Sequence, residues 1–159
     1  GNDYPDNGER AIFFARGVLE TVKKLRWTPD IIHCQGRMSA VIPFYVKTAY
    51  KDEPQFAGSK VVTSLFAEQP QGSLGTNFKH CLEFREAKEK CLKKYGDNFD
   101  FMELGKLAID YSDGIIRTSD KASTALVDYA RDNAKPLLEH SIDDAGLKEK
   151  YSEFYSRLL

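Results

Sequence analysis

The chain has 159 residues, which is the size of one folded domain, and its 23 basic and 24 acidic side chains nearly cancel. This balance excludes the basic surface that nucleic acids and anionic membranes select. No apolar run approaches the about 18 residues that a membrane span needs. Three cysteines without a C-x-x-C pair, and no signal-peptide pattern, predict reduced thiols in the cytoplasm. The three histidines lack metal-ligand spacing, so neither a metal nor a cofactor is expected.

The first predicted helix begins near Asp6. Asp6 and Glu9 have the spacing of a capping box, in which the first side chain caps the helix and the second reaches back. Apolar residues then recur at helical intervals. They are Ala11, Phe14, Ala15, Val18, Leu19, Val22 and Leu25. The pattern predicts an amphipathic helix with Asp6 as its N-cap.

A short apolar run at residues 31–34 is typical of a strand that is covered on both faces. Gly36 permits a sharp turn after it, and Ser39 is the predicted N-cap of a second helix at residues 40–50. Open α/β sheets bind ligands beyond the carboxyl ends of their strands. Residues 35–39 are therefore a candidate site, although any strand–helix unit also needs such a turn.

Strands and helices alternate through the rest of the chain. Further strands are predicted at residues 60–66, 115–118 and 135–139, and further helices at 78–95, 100–111, 119–130 and after a cap at 141–144. Such alternation predicts an α/β fold, a three-layer open parallel sheet of about four strands with helices on both faces. No G-x-G-x-x-G, P-loop, G-x-S-x-G or H-E-x-x-H motif is present, so the residues alone give no complete catalytic set.

Three segments resemble the N-terminal domain of bacterial glycogen synthases and plant starch synthases, in the same order and with the same separations. They are Asp6-Asn7-x-Glu9-Arg10-x-x-Phe13-Phe14, Trp27-x-Pro29-Asp30-Ile31-Ile32-His33 and Tyr111-x-Asp113-Gly114-Ile115-Ile116-x-x-Ser119. The resemblance implies that residues 1–159 form a single partial catalytic domain, the Rossmann-like half of a GT-B N-terminal domain. Those enzymes transfer glucose from ADP-glucose to the non-reducing end of an α-1,4-glucan, with retention and without a metal.

The site motif departs from the family. Where the family has His-x-His-Asp-Trp-His, this chain has His33-Cys34-Gln35-Gly36-Arg37-Met38, and Phe66-Ala67 replaces a His-Asn pair. Met38 lacks the hydrogen-bonding capacity of the family's last histidine. The resemblance nevertheless implies substrate-binding positions at Gln35, Gly36, Met38 and Phe66. It also implies a catalytic position at Asp6, which competes with the capping role.

Two functions stay open. The chain is either part of a working glycogen or starch synthase-like glucosyltransferase, inactive alone, or a degenerate relative that serves as a glucan-binding or structural module. The expected partners are an α-1,4-glucan and ADP-glucose, and the latter needs a further domain. Residues 31–34 are expected to form a sheet edge, because the family strand beside them is absent. They carry no protective lysine or proline, which predicts a two-fold homodimer at this edge.

Overall fold

A computed structural model describes residues 4–67, 72–139 and 145–159 of the chain. Within them, one sheet contains β1 (Ile31–Gln35), β2 (Lys60–Leu65), β3 (Gly114–Arg117) and β4 (Leu137–Glu139). All neighbouring strands run parallel, in the order β1-β2-β3-β4. The predicted four-stranded parallel sheet is confirmed, and β1 lies at one edge of it.

Helices connect the strands and flank the sheet. They are α1 (Asn7–Lys24), α2 (Ile42–Lys47), α3 (Phe78–Leu82), α4 (Phe101–Asp110), α5 (Thr124–Asp132) and α6 (Leu147–Leu158), with 3₁₀ turns at Arg37–Ser39 and Glu89–Cys91. Two N-caps follow the expected chemistry. The Asp100 carboxylate accepts the Glu103 N–H at 2.8 Å, and the Ser123 hydroxyl accepts the Leu126 N–H at 3.4 Å. The predicted cap at residues 141–144 lies outside the described residues.

The two faces of the sheet are covered unequally. Ile115 of β3 packs in one cluster with α5, whereas its neighbour Ile116 packs with Phe154 of α6 on the opposite face. On the first face α1 packs against α2, α2 against α4, and α4 against α5. Helices on both faces are therefore confirmed, and α1 also packs against α3 and against the 3₁₀ turn after β1.

The Asp-Gly pair at the start of β3 has a structural role. The Asp113 carboxylate accepts the Val61 N–H at 2.8 Å and pairs with Lys47 Nζ at 2.8 Å. A Cβ at Gly114 would lie 2.8 Å from Leu158 Cδ1 and 2.9 Å from a ring carbon of Phe154. Glycine is required there because α6 lies directly on the sheet.

The long helix predicted at residues 78–95 is wrong. Helix α3 ends at Leu82, and a tight turn with a left-handed Arg85 (φ 52°) joins Phe84 to Ala87. Leu82, Ala87 and Leu92 are all buried. Their spacing of five residues rotates a helix by about 140° per step, so one helix could not bury all three.

The second helix, predicted at residues 40–50, covers only Ile42–Lys47, because the backbone leaves the helical conformation at Thr48 (φ −124°, ψ −79°). Ser39 is not the N-cap of α2: its hydroxyl donates to the carbonyls of Gln35 at 2.9 Å and Gly36 at 2.8 Å. Those bonds close the turn after β1 instead. None of the helices in the described part of the chain is long and apolar enough to span a bilayer.

Candidate functional site

A crevice opens at the carboxyl ends of β1 and β2, where open α/β sheets bind their ligands. Gly36 and Arg37 follow β1 on one side, and Phe66 follows β2 at the base. The opposite wall comes from the first turns of α4 and α5. It includes Phe101, Met102, Gly105, Ser123 and Leu126. The polypeptide after two adjacent strands thus lines one site, as the topology leads us to expect.

The turn after β1 is fixed by backbone conformation and by hydrogen bonds. Gly36 has φ 80° and ψ 164°, a conformation that side-chain-bearing residues rarely adopt. The Ser39 hydroxyl then holds the turn from within. The chain therefore presents Arg37 at the crevice on a preformed backbone.

Arg37 is the one charged side chain among the described residues that line the crevice. Its guanidinium carbon lies 4.9 Å from the centre of the Phe101 ring, in a cation–π contact. Around this pair the lining is mostly apolar, because the hydroxyls of its Thr63, Ser64 and Ser123 are bonded within the protein, to Ser112, to His33 and to the Leu126 N–H in turn. The crevice therefore offers aromatic surface and one cation, which is a composition suited to a sugar more than to a polyphosphate.

The residues predicted from the sequence are only partly brought together. Gly36 and Phe66 line the crevice. Gln35 is exposed at the last position of β1, and Met38 is 39% exposed in the 3₁₀ turn. Neither of them, nor Asp6, lines the crevice, and whether any of the five binds a substrate stays a prediction. No sequence motif pointed to Phe101, because its contact with Arg37 depends on how α4 packs.

Asp6 precedes α1, but the predicted capping box is wrong. Its backbone (φ −97°, ψ 14°) is not extended, and its carboxylate accepts no cap hydrogen bond. The carboxylate instead pairs with Arg10 Nε at 3.0 Å, and both side chains are about half exposed. An exposed pair one turn apart on a helix contributes little stability.

We expect Asp6→Ala to change the free energy of unfolding by less than about 1 kcal/mol, since it removes only a surface ion pair. Asp100→Ala is the matched control, because Asp100 does cap a helix and its removal should cost about 0.5–2 kcal/mol. Urea unfolding of both variants compares the two costs. A larger loss for Asp6→Ala than for Asp100→Ala would contradict this assignment.

His33 lies behind the crevice and joins three elements. Its Nδ1 is 2.6 Å from the Tyr155 hydroxyl of α6, and its Nε2 is 2.6 Å from the Ser64 hydroxyl of β2. Burial lowers the pKa of His33 below its usual value. The imidazole is therefore neutral at physiological pH and ties α6 to the strand beneath the crevice.

This burial predicts a pH dependence of stability. The pKa of His33 is lower in the folded state than in the unfolded chain, where it is about 6.5. The stability that the neutral imidazole contributes is therefore complete above that unfolded pKa. It is lost as the pH falls toward the lower pKa of the folded state. Urea midpoints should fall between about pH 7.5 and pH 5. His33→Gln should flatten that slope, because it removes the group whose pKa is lowered. An unchanged slope in His33→Gln would refute the assignment.

The thiol next to His33 is buried in the core. Burial raises the pKa of Cys34 to about 12, so its thiol is protonated at neutral pH. Cys34, Cys81 and Cys91 are all free. Across the described ranges, no cluster of histidine, cysteine, aspartate and glutamate could hold a metal ion.

Comparison with known proteins identifies the family. A family model described as the starch synthase catalytic domain matches residues 1–143. The glycogen synthase of Clostridium perfringens is 33% identical over 141 residues, which are 87% of this chain and 27% of that protein. The glycogen synthase of Desulforudis audaxviator is 29% identical over 154 residues, or 96% and 28% of the two chains. No solved structure gives a significant match.

The chain spans less than a third of the length of these relatives. Over that span the match includes both strands that border the crevice and the strand β3 beyond them. The resemblance seen in the separated motifs is confirmed by a match to most of the chain. The parallel sheet and its helices agree with it, and the chain belongs to the starch synthase catalytic domain family.

Proposed function

We propose that residues 1–159 form one part of a glucosyltransferase that moves glucose from ADP-glucose to the non-reducing end of an α-1,4-glucan. The observation that carries this proposal is the crevice at the carboxyl ends of β1 and β2, within the span matched by the starch synthase family. The two relatives that cover most of the chain are named glycogen synthases. This chain would supply the surface that contacts the sugars.

The chemistry of the crevice supports contact with sugars. The rings of Phe66 and Phe101 offer apolar surface for the C–H faces of glucose units, and Arg37 places one charged group beside them. Gln35 and Met38, at the exposed rim of the turn, would meet the next unit of the glucan. An apolar lining with a few placed polar groups is usual for a small-molecule site.

The same lining supports inactivity of the isolated chain. Transfer from ADP-glucose needs several cations or backbone donors around the departing diphosphate, in a closed site. Among the described lining residues only Arg37 is charged. We therefore propose that the nucleotide is held by a further domain.

An ADP-release assay tests this proposal. Incubation of the chain with ADP-glucose and glycogen should release no ADP above the blank, because the diphosphate has one cation to bind. The full-length glycogen synthase of Clostridium perfringens is the positive control for the same assay. Enzyme-dependent ADP release by this chain alone would refute the proposed division of the site.

A second candidate function rests on Met38. It exposes a thioether where the family carries a histidine, which favours a non-catalytic glucan-binding or structural module. A chimera separates the candidates: residues 31–39 of this chain replace the matching segment of the Clostridium perfringens enzyme. Retained ADP release favours a working transferase, and folded protein without turnover favours the degenerate module.

We also propose that the chain forms a two-fold homodimer at the β1 edge and works in the cytoplasm, where its free thiols stay reduced. Among the described residues β1 pairs with β2 alone. The Asp30 carbonyl accepts the Lys60 N–H, so the alternation of a parallel ladder directs the N–H groups of Ile31, His33 and Gln35 outward. Such an edge is a template for pairing with another strand.

Gln35→Pro tests this edge, because it removes one outward N–H from an exposed position. Sedimentation of the wild type at micromolar concentration should show a dimer that this variant weakens. A strictly monomeric wild type would refute the proposal.

A further inference from the structure

Helix α4 has a glycine where it packs against α5. Gly105 lies in the interior of α4, where a glycine destabilises a helix relative to alanine. A Cβ at Gly105 would lie 2.7 Å from Cδ1 and 2.9 Å from Cδ2 of Leu126, in the first turn of α5. The missing side chain is therefore what allows Leu126 to lie directly against α4.

Leu126 is held in place by its own helix and by the core. Its N–H donates to the Ser123 hydroxyl at 3.4 Å, at the start of α5. Its side chain packs against the buried cluster that includes Ile109 and Ile115. Leu126 and Gly105 also both line the crevice. With the core on one side and α4 on another, the crevice is the side toward which the Leu126 side chain can move.

The crevice is small enough for one side chain to decide what it admits. Its cavity volume is about 100 Å³. For comparison, an engineered apolar cavity of about 150 Å³ in another protein holds one benzene molecule. In an apolar pocket, one methylene more or less changes the discrimination between two ligands by about 10–200-fold. Carbon atoms displaced into this crevice, or removed from its wall, should therefore change its selectivity measurably.

We propose that Leu126, seated against Gly105, restricts the crevice to unsubstituted glucose units. The inference rests on the proposed glucan site and deepens it by naming the ligand class, which is a plain α-1,4-glucan without groups added to its hydroxyls. Leucine has no hydrogen-bonding group, so Leu126 acts by its volume alone. It is a specificity-determining residue of the crevice wall and takes no part in the transfer chemistry.

An enlarged crevice tests this role. The probes are maltoheptaose and partly O-methylated maltoheptaose, and calorimetric titration measures their binding to the whole chain. The wild type should bind the methylated probe about tenfold more weakly or worse, and Leu126→Ala should remove most of that difference. Leu137→Ala is the matched control, because Leu137 packs on the same cluster from β4 and does not line the crevice. It should keep the wild-type difference.

A filled contact tests the same geometry in the opposite direction. Gly105→Ala adds a methyl group that forces Leu126 toward the crevice, so the dissociation constant for maltoheptaose should rise by about tenfold. The double variant Gly105→Ala/Leu126→Ala should restore wild-type binding, because it removes the displaced atoms. The circular dichroism spectrum should stay unchanged in both variants, since the overlap involves only the side chain of Leu126.

The outcomes separate this inference from the proposed function. A wild type that binds neither probe would overturn the glucan site, and the role of Leu126 with it. If the wild type binds both probes equally, or if Leu126→Ala keeps the wild-type difference, Leu126 does not select the ligand and the glucan site stands. Weakened binding in Gly105→Ala that the second substitution does not restore would overturn the role of Leu126 as well.

Discussion

Gly114→Ala should lower the free energy of unfolding by about 1–3 kcal/mol, and Gly114→Val by more, because added atoms overpack a filled core. The new Cβ would lie within 3.0 Å of side-chain carbons of Leu158 and Phe154, which belong to the helix that covers the second face of the sheet. Urea unfolding monitored by circular dichroism measures the loss. To relieve the overlap of the new Cβ with Leu158 and Phe154, α6 would have to move away from β3.

Gly58→Ala is the control for this comparison. Nothing lies within 4 Å of a Cβ at Gly58, and its backbone is not left-handed, so the free energy of unfolding should change by less than about 0.5 kcal/mol. Equal stabilities of Gly114→Ala and the wild type would show that α6 does not pack on Gly114 as described.

Asp110→Ala should cost about 2–4 kcal/mol, since it leaves several donors without their acceptor. The Asp110 carboxylate accepts the hydroxyls of Tyr95 and Tyr129, the latter at 2.9 Å, and pairs with Lys94 Nζ at 2.6 Å. Only 11% of the Asp110 side chain is exposed. The carboxylate therefore joins the end of α4 to α5 and to the segment before Gly96, away from the crevice.

A spectroscopic measurement separates this network from general packing. Burial, and then the bond to Asp110, raise the pKa of Tyr95 far above its usual value. Asp110 also raises the pKa of Tyr129, so ultraviolet titration of Asp110→Asn should show two tyrosines, Tyr95 and Tyr129, ionising at lower pH than in the wild type. Asp128→Ala is the control, because Asp128 pairs only with exposed Arg131. An unchanged titration in Asp110→Asn would contradict the network.

The strands were predictable because each is a short apolar run between turn residues, and β1 and β2 lie within one residue of their predicted limits. The structure of the segment around residues 83–95 was not predictable, because its many charged side chains suit an exposed helix as well as exposed turns. Only the burial of Leu82, Ala87 and Leu92 decides between them, and that is a tertiary property.

The residues of the candidate site were likewise only partly predictable from the sequence. Gly36 and Phe66 follow strands, so the position of a strand end was enough to place them at the crevice. Phe101 and Ser123 reach it from helices that are distant in the sequence, and only packing brings them there. Asp6 has the sequence spacing of a cap, but its backbone conformation turns the carboxylate toward Arg10 instead.

We propose above all that the crevice binds an α-1,4-glucan. Titration of the isotope-labelled chain with maltoheptaose, followed by amide chemical shifts, tests it directly, and cellohexaose controls for the linkage. The amides of Gly36, Arg37, Phe66 and Phe101 should shift with maltoheptaose, more weakly in Phe66→Ala, and should not shift with cellohexaose. Shifts confined to the exposed segment around Lys88, or no shifts at millimolar maltoheptaose, would contradict the assignment of the crevice as the glucan site.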